Sequence, residues 1–468
     1  MSNIIVGRNC QKRMGADLTE GSIPKLLSVF VIPLILGNLL QQLYNAVDVM
    51  IIGRYMGSIG TVGVSNGGEY AGLMTYAATG FSSAGQIYIA QMVGRNDRKG
   101  IGEIASTLFS FLIIIAVGLS LLGVVTARWF MWILNCPQEA VEQAVSYQCW
   151  SCLGFPAIFG YNAVCGILRG MGESGKPLAF IAVSAVTNIF FDLLLVAGLH
   201  MEADGTAIAT VASQYAAFLA ALTFMLRKKE DLDVDLKCHA AKLYPEHLKI
   251  LVKLGLPLTA QSMLVHFSQL FCTALINNYG VVEASANSIG NKINRITNTF
   301  TSGVTAGAGA MVGQNIGARK FDRVKKTVYC ALIGALIFST VFSMVSIFGA
   351  EQIVMLFTKT EENAEKIIAL GAACVRLGVI TLMLAAVQGA FCAVISGSGY
   401  AKLQFFYGVL DSIILRIGIS LLFAYVLDMG VVGFFLGNGL ARLGPTMIGI
   451  YYFYSNKWKK RNLLSDHL

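Results

Sequence analysis

Residues 30–57 have the sequence FVIPLILGNLLQQLYNAVDVMIIGRYMG, and residues 252–280 have the sequence VKLGLPLTAQSMLVHFSQLFCTALINNYG. Both stretches are apolar over the roughly 20 residues that a transmembrane helix needs. When they are aligned, Pro33 falls on Pro257, at a separation of about 224 residues. This agreement indicates that a membrane-embedded unit occurs twice in the chain.

Two loop motifs repeat in the same order and at nearly the same separation. AQMVGRNDRKG at 90–100 matches GQNIGARKFDR at 313–323, and RGMGESGKP at 169–177 resembles ISGSGYAK at 395–402. Each unit holds six predicted helices, an even number, so the two copies have the same orientation in the membrane. We therefore predict two six-helix bundles related by a pseudo-twofold axis along the membrane normal.

The composition is typical of an integral membrane protein. Of the 468 residues, 55% are hydrophobic and 13% are charged, whereas soluble proteins contain about 25% charged residues. The apolar runs reach the length of spanning helices, which favours an all-α membrane protein over a β-barrel. The predicted transmembrane helices lie near 25–53, 60–90, 101–126, 139–168, 177–200, 204–227, 249–279, 283–314, 323–349, 364–395, 403–427 and 430–455.

The net charge of +9 is unevenly distributed along the chain. Lys and Arg collect at both ends and in alternate loops, including the linker 228–248 between an N-terminal lobe, 1–227, and a C-terminal lobe, 249–468. By the positive-inside rule, this pattern predicts a multi-pass protein of the cell (inner) membrane with both termini and the linker in the cytoplasm. We expect these positively charged residues to lie at the surface of the lipid bilayer and not to bind a nucleic acid. The intervening loops hold only Arg54, Arg128, Lys359 and Lys366.

The first predicted helix carries a polar stripe. At 100° per residue, Asn38, Gln41, Asn45 and Asp48 fall within a sector of about 80°, and Tyr44 borders it. An ionised Asp at the centre of a membrane helix costs roughly 2.5–3.5 kcal/mol, so these side chains are expected to face protein or water.

A second carboxylate occurs in the fifth helix. Asn188 and Asp192 are four residues apart and therefore lie on one helix face. Further oxygen donors are Tyr147 and Asn162 in the fourth helix and Thr210 in the sixth. Carboxylate, amide and hydroxyl oxygens suit a hard monovalent cation or a proton relay. A polar contact between helices is the simpler alternative for either Asp alone.

The corresponding stretch of the second half lacks the carboxylate. Asp48 falls on Cys272, and the polar stripe there consists of Ser262, His266 and Gln269. We therefore expect the paired carboxylates to be confined to the N-terminal lobe.

Other charged residues in the apolar segments have either structural or functional roles. For Glu69 in the second helix, a structural role and a functional role are about equally favoured. Internal ion pairs are favoured over substrate contacts for Lys292, Arg295, Arg376, Asp411 and Arg416. The sequence contains no HExxH, Ser-His-Asp or zinc-ligand pattern, so it predicts neither an enzyme nor a bound cofactor.

These features together resemble the multidrug and toxic compound extrusion (MATE) transporters. The resemblance rests on the duplicated unit, the P-x(14)-D spacing from Pro33 to Asp48 and the loop motifs, and Asn188 with Asp192 resembles the DinF-like branch. It implies two bundles around a central cavity, a helix bend at Pro33, and export of amphipathic, often cationic compounds in exchange for H⁺ or Na⁺. The implied coupling site comprises Gln41, Tyr44, Asp48, Tyr147, Asn162, Asn188, Asp192 and Thr210. The NorM-like branch has acidic residues in its C-terminal lobe, and we find no counterpart for them here.

The resulting hypothesis is antiport through the N-terminal lobe of a chain that we expect to be monomeric. Asp48 and Asp192 would hold a proton or Na⁺, and their neutralisation would let the first helix bend at Pro33 and expel the substrate. Met50, Met74 and Phe81 are weaker candidates, since core or lipid-facing roles are favoured for them. The candidates for lining the substrate cavity are Glu69, Met50, Met74, Phe81, His266, Gln269, Lys292 and Arg295.

The main alternative is a flippase for lipid-linked oligosaccharides or peptidoglycan precursors. In that case, a pyrophosphate would be attracted by Lys292, Arg295, Arg376 and Arg416. The pair of Asp48 and Asp192 favours the antiporter, because cation coupling needs it and a lipid path does not. A membrane receptor is disfavoured, because no sizeable soluble domain is present in the sequence.

Overall fold

A computed structural model describes residues 16–55, 57–97, 99–228, 242–358 and 363–467. Within these ranges the chain is helical and contains no β-strand, which confirms the predicted all-α class. The twelve long helices are α1 (Ile23–Tyr55), α2 (Gly57–Arg95), α3 (Lys99–Val125), α4 (Gln138–Leu153 and Phe155–Gly170), α5 (Gly175–Gly198), α6 (Ala203–Arg227), α7 (Pro245–Asn277), α8 (Val281–Gly317), α9 (Phe321–Phe348), α10 (Ala364–Gly397), α11 (Ala401–Val426) and α12 (Gly430–Tyr454).

Most of these helices satisfy the requirements of a membrane span on their own. In the described part of the chain, nine are long and apolar enough, and α4 adds a tenth if its two parts, bent by 44°, form one span. The other two, α2 and α8, are rich in Gly, Ser, Thr and Asn, as expected of tightly packed membrane helices. Short helices, Ala127–Ile133 and Ala350–Met355, follow α3 and α9 at equivalent places.

The lipid-facing surface is visible in the exposed apolar side chains. On α9, Ile333, Ile337, Val341 and Phe348 are 58%, 63%, 55% and 81% exposed, respectively. A soluble protein rarely leaves so continuous an apolar stripe in water. The chain is therefore a multi-pass membrane protein.

The two halves repeat in packing as well as in sequence. Helix α1 packs on α5 and α8, and its counterpart α7 packs on α11 and α2. Left-handed backbone recurs at matched positions: Asn96 and Arg319 have φ of 62° and 56°, and His200 and Asp428 have φ of 53° and 54°. The twelve helices thus form two six-helix bundles related by a pseudo-twofold axis.

Two glutamines of the repeated loop motif connect the bundles at the end where Lys and Arg collect, which we call the basic face. The Gln91 side chain donates to Gly397 O (2.7 Å) and accepts from Leu464 N (3.1 Å). Its counterpart Gln314 accepts from Leu18 N at 3.1 Å. Both ends of the described chain are thereby held against the opposite bundle, and the structure is closed on this face.

The segment between the bundles differs from its predicted bounds. Helix α7 begins at Pro245, inside the predicted linker 228–248, of which residues 229–241 lie outside the described residues. His247 in the first turn of α7 is buried, and its ring nitrogens contact the Tyr88 hydroxyl (3.0 Å) and the Glu103 carboxylate (3.1 Å). These contacts with α2 and α3 explain the earlier helix start, because they give the polar first turn partners in the N-terminal lobe.

Candidate functional site

The structure brings Asp48 of α1 and Asp192 of α5 together. The two helices pack along each other, and the carboxyl groups of the two residues interact directly. Close approach is helped by Gly37, where an added Cβ would lie 3.1 Å from the Ile181 side chain on α5. Asp192 is 1% exposed, so this pair lies inside the N-terminal bundle.

The helix that carries Asp192 changes its winding at that residue. An α-helix runs from Gly175 to Asp192, and a π-helical segment, Leu193–Gly198, follows directly. π-helical turns inside membrane or soluble helices are often found at functional sites. Helix α11 has the same feature, with π-helical segments at Leu410–Ile419 and Leu422–Val426.

Several buried oxygens around the pair have no hydrogen-bond partner. Among the described residues, these are both Asp192 oxygens, Asp48 Oδ1 and Asn188 Oδ1. An unsatisfied buried polar group costs about 1–3 kcal/mol, and more when it is charged. Four such acceptors from three neighbouring residues form a site that a proton or a small cation would stabilise.

Hydroxyl groups complete the surroundings of the carboxylates. Tyr147 is buried, with Asp48 and Asp192 nearby and its hydroxyl within hydrogen-bonding reach of Thr210. Tyr44 lies within reach of the Gln41 side chain and close to Asp48. Tyr44, Tyr147 and Thr210, from α1, α4 and α6, thus lie near the carboxylate pair.

Tyr147 is positioned by a glycine on the neighbouring helix. At Gly67 of α2, an added Cβ would lie 2.5 Å from Ala144 O and 3.0 Å from Tyr147 Cβ. The absence of a side chain there lets the first half of α4 lie directly on α2.

Asn162 makes its contacts on the second half of α4. Its side-chain amide donates to Ile158 O one turn earlier (2.8 Å), and its backbone carbonyl accepts from the Ser82 hydroxyl (2.6 Å). The bond from Ser82 ties α4 to α2.

The three candidate apolar contacts occupy different environments. Phe81 is buried and packs edge-on against Phe111, and Met74 packs against the same core. Met50 is 70% exposed and lies on the stripe of α1 that also contains Leu43, which is 64% exposed. This stripe continues the apolar outer surface of α1.

Pro33 lies inside α1, which is continuous across it. Proline has no backbone N–H, so the carbonyl one turn earlier loses its helical hydrogen bond, and the helix bends more readily there. The proline separates the part of α1 near the basic face from the part that carries Asp48.

The C-terminal lobe contains a polar cavity of about 120 Å³. Its wall includes His266 and Gln269 of α7 and Arg295 of α8, three residues selected from the sequence. Four asparagines of α8 spaced by four, three and four residues also line it: Asn287, Asn291, Asn294 and Asn298. This asparagine stripe was not predicted, although its helical spacing is visible in the sequence.

Two arginines enter the same cavity from α11 and α12. Arg416 is 2% exposed, forms an ion pair with Asp411 at 2.9 Å and donates to the Asn438 side chain. Arg442 donates to the Gln388 side chain at 3.2 Å. Within the described chain, the Nε atoms of both arginines are buried and unpartnered. Sequence reasoning considered Arg416 an ion-pair partner and missed Arg442.

A larger cavity of about 520 Å³ lies between the bundles and adjoins the first. Gln86 and Ile87 of α2 form one wall, and Gln261 and Ser262 of α7 form part of another. Asn298 and Arg442 line both cavities. The volume is within the range of about 300–1,000 Å³ that is typical of small-molecule sites.

The remaining charged candidates, Glu69, Arg376 and Lys292, do not line either of these cavities. Glu69 Oε2 is 4.0 Å from His266 Nε2, so this contact spans the two lobes. Arg376 is paired with Glu351 at 2.9 Å. Lys292 is exposed on α8.

Comparison with known proteins gives a consistent assignment. The MatE family model matches residues 33–194 and 257–426, one block in each bundle. The probable multidrug resistance protein YoeA of Bacillus subtilis is 25% identical over 455 residues, which covers 95% of this chain and 96% of YoeA. The DNA damage-inducible protein F of Escherichia coli is 28% identical over 211 residues, or 44% of this chain and 45% of that protein.

Solved structures agree at the level of the fold. A MOP superfamily transporter from Pyrococcus furiosus superimposes with a TM-score of 0.87 at 20% identity, covering 96% of this chain and 98% of that one. The family match extends over most of the chain and both bundles. The chain belongs to the MATE family of multidrug efflux transporters, as its resemblance to the DinF-like branch predicted, and it is not an enzyme.

Proposed function

We propose that this protein is a secondary antiporter of the cell membrane that exports amphipathic compounds in exchange for H⁺ or Na⁺. The observation that carries the proposal is the direct contact of Asp48 and Asp192 inside a membrane bundle, with three of their four oxygens buried and unpartnered in the described chain. Two facing carboxylates without a counter-charge favour uptake of a positive charge.

The donor set supports a monovalent ion or a proton as the coupling cation. All candidate donors are oxygens, from Asp48, Asp192, Asn188, Tyr147 and Thr210, which suits a hard cation. No group of three or more His, Cys, Asp or Glu that could hold a metal ion occurs among the described residues. The site therefore offers at most two negative charges.

The closed basic face gives this exchange a direction. We place the basic face, and with it both termini, in the cytoplasm, because Lys and Arg collect there. With that face closed by Gln91 and Gln314, the cation reaches the pair from the other side of the membrane. An inside-negative potential contributes about 2.3 kcal/mol per charge per 100 mV to this entry.

Neutralisation of the carboxylates then changes the interaction between α1 and α5. With a proton or Na⁺ between Asp48 and Asp192, α1 and α5 are drawn together, and α1 bends at Pro33 where its backbone bonding is weakest. Movement of α1 changes its packing on α8 of the opposite bundle. This contact is the path by which cation binding reaches the cavity between the bundles.

The flippase alternative has less support. Of the four cations that would attract a pyrophosphate, Arg376 is paired with Glu351 at 2.9 Å. Neither Arg376 nor Lys292 lines either of the two cavities. The antiporter uses the buried carboxylate pair, which a lipid path leaves unexplained.

The test is efflux of an amphipathic dye from vesicles under an imposed pH gradient and, separately, under an imposed Na⁺ gradient. We expect one gradient to drive efflux by the native protein, and Asp48→Asn and Asp192→Asn to abolish the gradient-dependent part. Glu142→Gln is the control, because Glu142 is an exposed carboxylate paired with Arg128 at 2.9 Å. Gradient-driven efflux at the native rate in either Asp variant would contradict the proposal.

A further inference from the structure

The polar cavity of the C-terminal lobe occupies the place that corresponds to the carboxylate pair. His200 and Asp428 are matched left-handed residues that are about 228 residues apart in the sequence. With this offset, α5 and α6 of the first lobe align with α11 and α12 of the second. This shift places Asp192 on Ser420, and Asp48 falls on Cys272. Cys272 and Ser420 lie close to each other, as the two aspartates do in the first lobe. The Ser420 hydroxyl is buried and has no hydrogen-bond partner among the described residues.

Other members of the two sites correspond in the same way. The same shift places Asn188 on Arg416 and Thr210 on Asn438. Arg416 donates to the Asn438 side chain, so these counterparts are also in contact. The cavity wall contains Cys272, Arg416 and Asn438 together. It is therefore the duplicated copy of the cation site.

The helix packing behind the sites is duplicated too. Gly67 packs on Tyr147, and Gly290 packs on Cys374, where an added Cβ would lie 2.4 Å from the sulfur. Cys374 also lines the cavity. The tyrosine of the first site is thus replaced by a cysteine, which leaves open space for a ligand.

The charge of the copy is inverted. The two carboxylates have become Cys272 and Ser420, and an asparagine has become Arg416. Arg295 and Arg442 add two further cations to the cavity wall. Asp411 neutralises one arginine, and Glu69 lies at the rim, 4.0 Å from His266. Among the described residues that line this cavity, three are arginines and none is acidic, so positive charge exceeds negative charge there.

We propose that this cavity is a binding site for the anionic group, a carboxylate or phosphate, of an amphipathic substrate. Arg416 is 2% exposed, lines the cavity and keeps an unpartnered buried Nε among the described residues. The amide groups of Asn294 and Asn298 and the guanidinium of Arg442 supply further donors.

The sizes of the cavities indicate how the substrate is divided between them. The polar cavity, about 120 Å³, holds a charged head group, whereas drug-sized ligands occupy about 300–1,000 Å³. The adjoining cavity, about 520 Å³, holds the body of the substrate, and Asn298 and Arg442 line the passage between them. The inference deepens the proposed function, on which it rests for the export of the bound molecule.

Binding tests this inference without requiring transport. The probes are dansyl-labelled undecanoic acid and its methyl ester, measured on the purified protein in phosphatidylcholine nanodiscs, with empty nanodiscs as the background. A charge-assisted hydrogen bond predicts carboxylate binding about tenfold tighter than ester binding. Equal affinities of the native protein for the two probes would overturn the inference.

The variants identify the residues responsible. Arg442→Gln and Arg295→Gln are expected to bring the two affinities close to each other while ester binding is kept. Arg295 is exposed, so its variant decides the test if Arg442→Gln does not fold. Arg376→Gln is the control, since Arg376 is paired with Glu351 and does not line the cavity. An unchanged carboxylate preference in both cavity variants would contradict the site.

Two further measurements identify the carrier of the anion and separate this inference from the proposed function. If inorganic phosphate competes with the carboxylate probe, the site binds a free anion. If the probe no longer binds in phosphatidylglycerol nanodiscs, the site binds a lipid head group. Either result supports an anion site. Asp48→Asn should retain the carboxylate preference, because the two sites lie in different lobes. The effect of this variant on gradient-driven efflux therefore tests the cation site and not the anion site.

Discussion

Tyr147 is the residue through which the carboxylate pair is connected to α4 and α6. Its hydroxyl lies near Asp48 and Asp192 and within hydrogen-bonding reach of Thr210, and its ring packs on Gly67. The ring and the hydroxyl therefore have separate roles, structural and electrostatic, and a single substitution distinguishes them.

We expect Tyr147→Phe to weaken cation binding while the fold is kept. Loss of a hydrogen bond to a charged group costs about 1.5–3 kcal/mol, or roughly 10- to 150-fold in affinity. The measurement is the cation concentration that gives half-maximal efflux. Tyr215→Phe is the matched control, because its hydroxyl donates to Leu153 O (3.0 Å) away from the site. If the half-maximal cation concentration is unchanged in Tyr147→Phe, the hydroxyl does not contribute to cation binding.

The sequence revealed residues whose chemistry is unusual for a membrane helix. Asp48 and Asp192 are visible because each carboxylate is costly in lipid and each lies on a polar helix face. Arg442 lies four residues after Asn438 and therefore on the same helix face, a polar signal that is visible in the sequence. The sequence does not show that Arg442 shares a cavity with Arg416. That proximity arises from the packing of α11 and α12 around α10, which is a tertiary property.

At the scale of helices, glycine determines how closely α2 and α4 approach. Gly67 leaves no space for a side chain, whereas nothing lies within 4 Å of a Cβ added to Gly72 on the same helix. The two glycines are only five residues apart, so they give a matched pair.

We expect Gly67→Ala to destabilise the protein and Gly72→Ala to be neutral or slightly stabilising. Overpacking costs about 1–3 kcal/mol, whereas replacing an unstrained helical glycine with alanine gains roughly 0.5–1 kcal/mol. Thermal unfolding in detergent, followed by loss of monodisperse protein, measures the difference. Equal melting temperatures for the two variants would show that α2 and α4 are less tightly packed than the structure indicates.

Most helices were predictable, but their irregularities were not. Hydropathy and the internal repeat located α2 and α8 despite their polar composition, because each lies at the same place in its half. The π-helical segments of α5 and α11 have no signal in residue type, because they depend on how each helix fits its neighbours. The start of α7 was predicted four residues late, since His247 finds its partners only in the folded protein.

At the scale of the molecule, duplication has produced one fold with two different sites. The bundles share helix order, packing partners and left-handed turns. One bundle keeps two carboxylates, and the other replaces them with Cys272 and Ser420 beside Arg416. The pseudo-twofold arrangement was predictable from the repeat, whereas the closure of the basic face by Gln91 and Gln314 depends on contacts between bundles.

In the proposed mechanism, the cation that drives export binds between Asp48 and Asp192. The direct measurement is cation movement caused by substrate: vesicles are loaded with the dye pyranine to follow H⁺, or supplied with ²²Na⁺, and substrate is added. We expect substrate export by the native protein to move one of these ions in the opposite direction. Asp48→Asn combined with Asp192→Asn should abolish this ion movement, whereas Glu142→Gln should leave it unchanged. Ion movement at the native rate in the double variant would show that these two carboxylates do not bind the coupling cation.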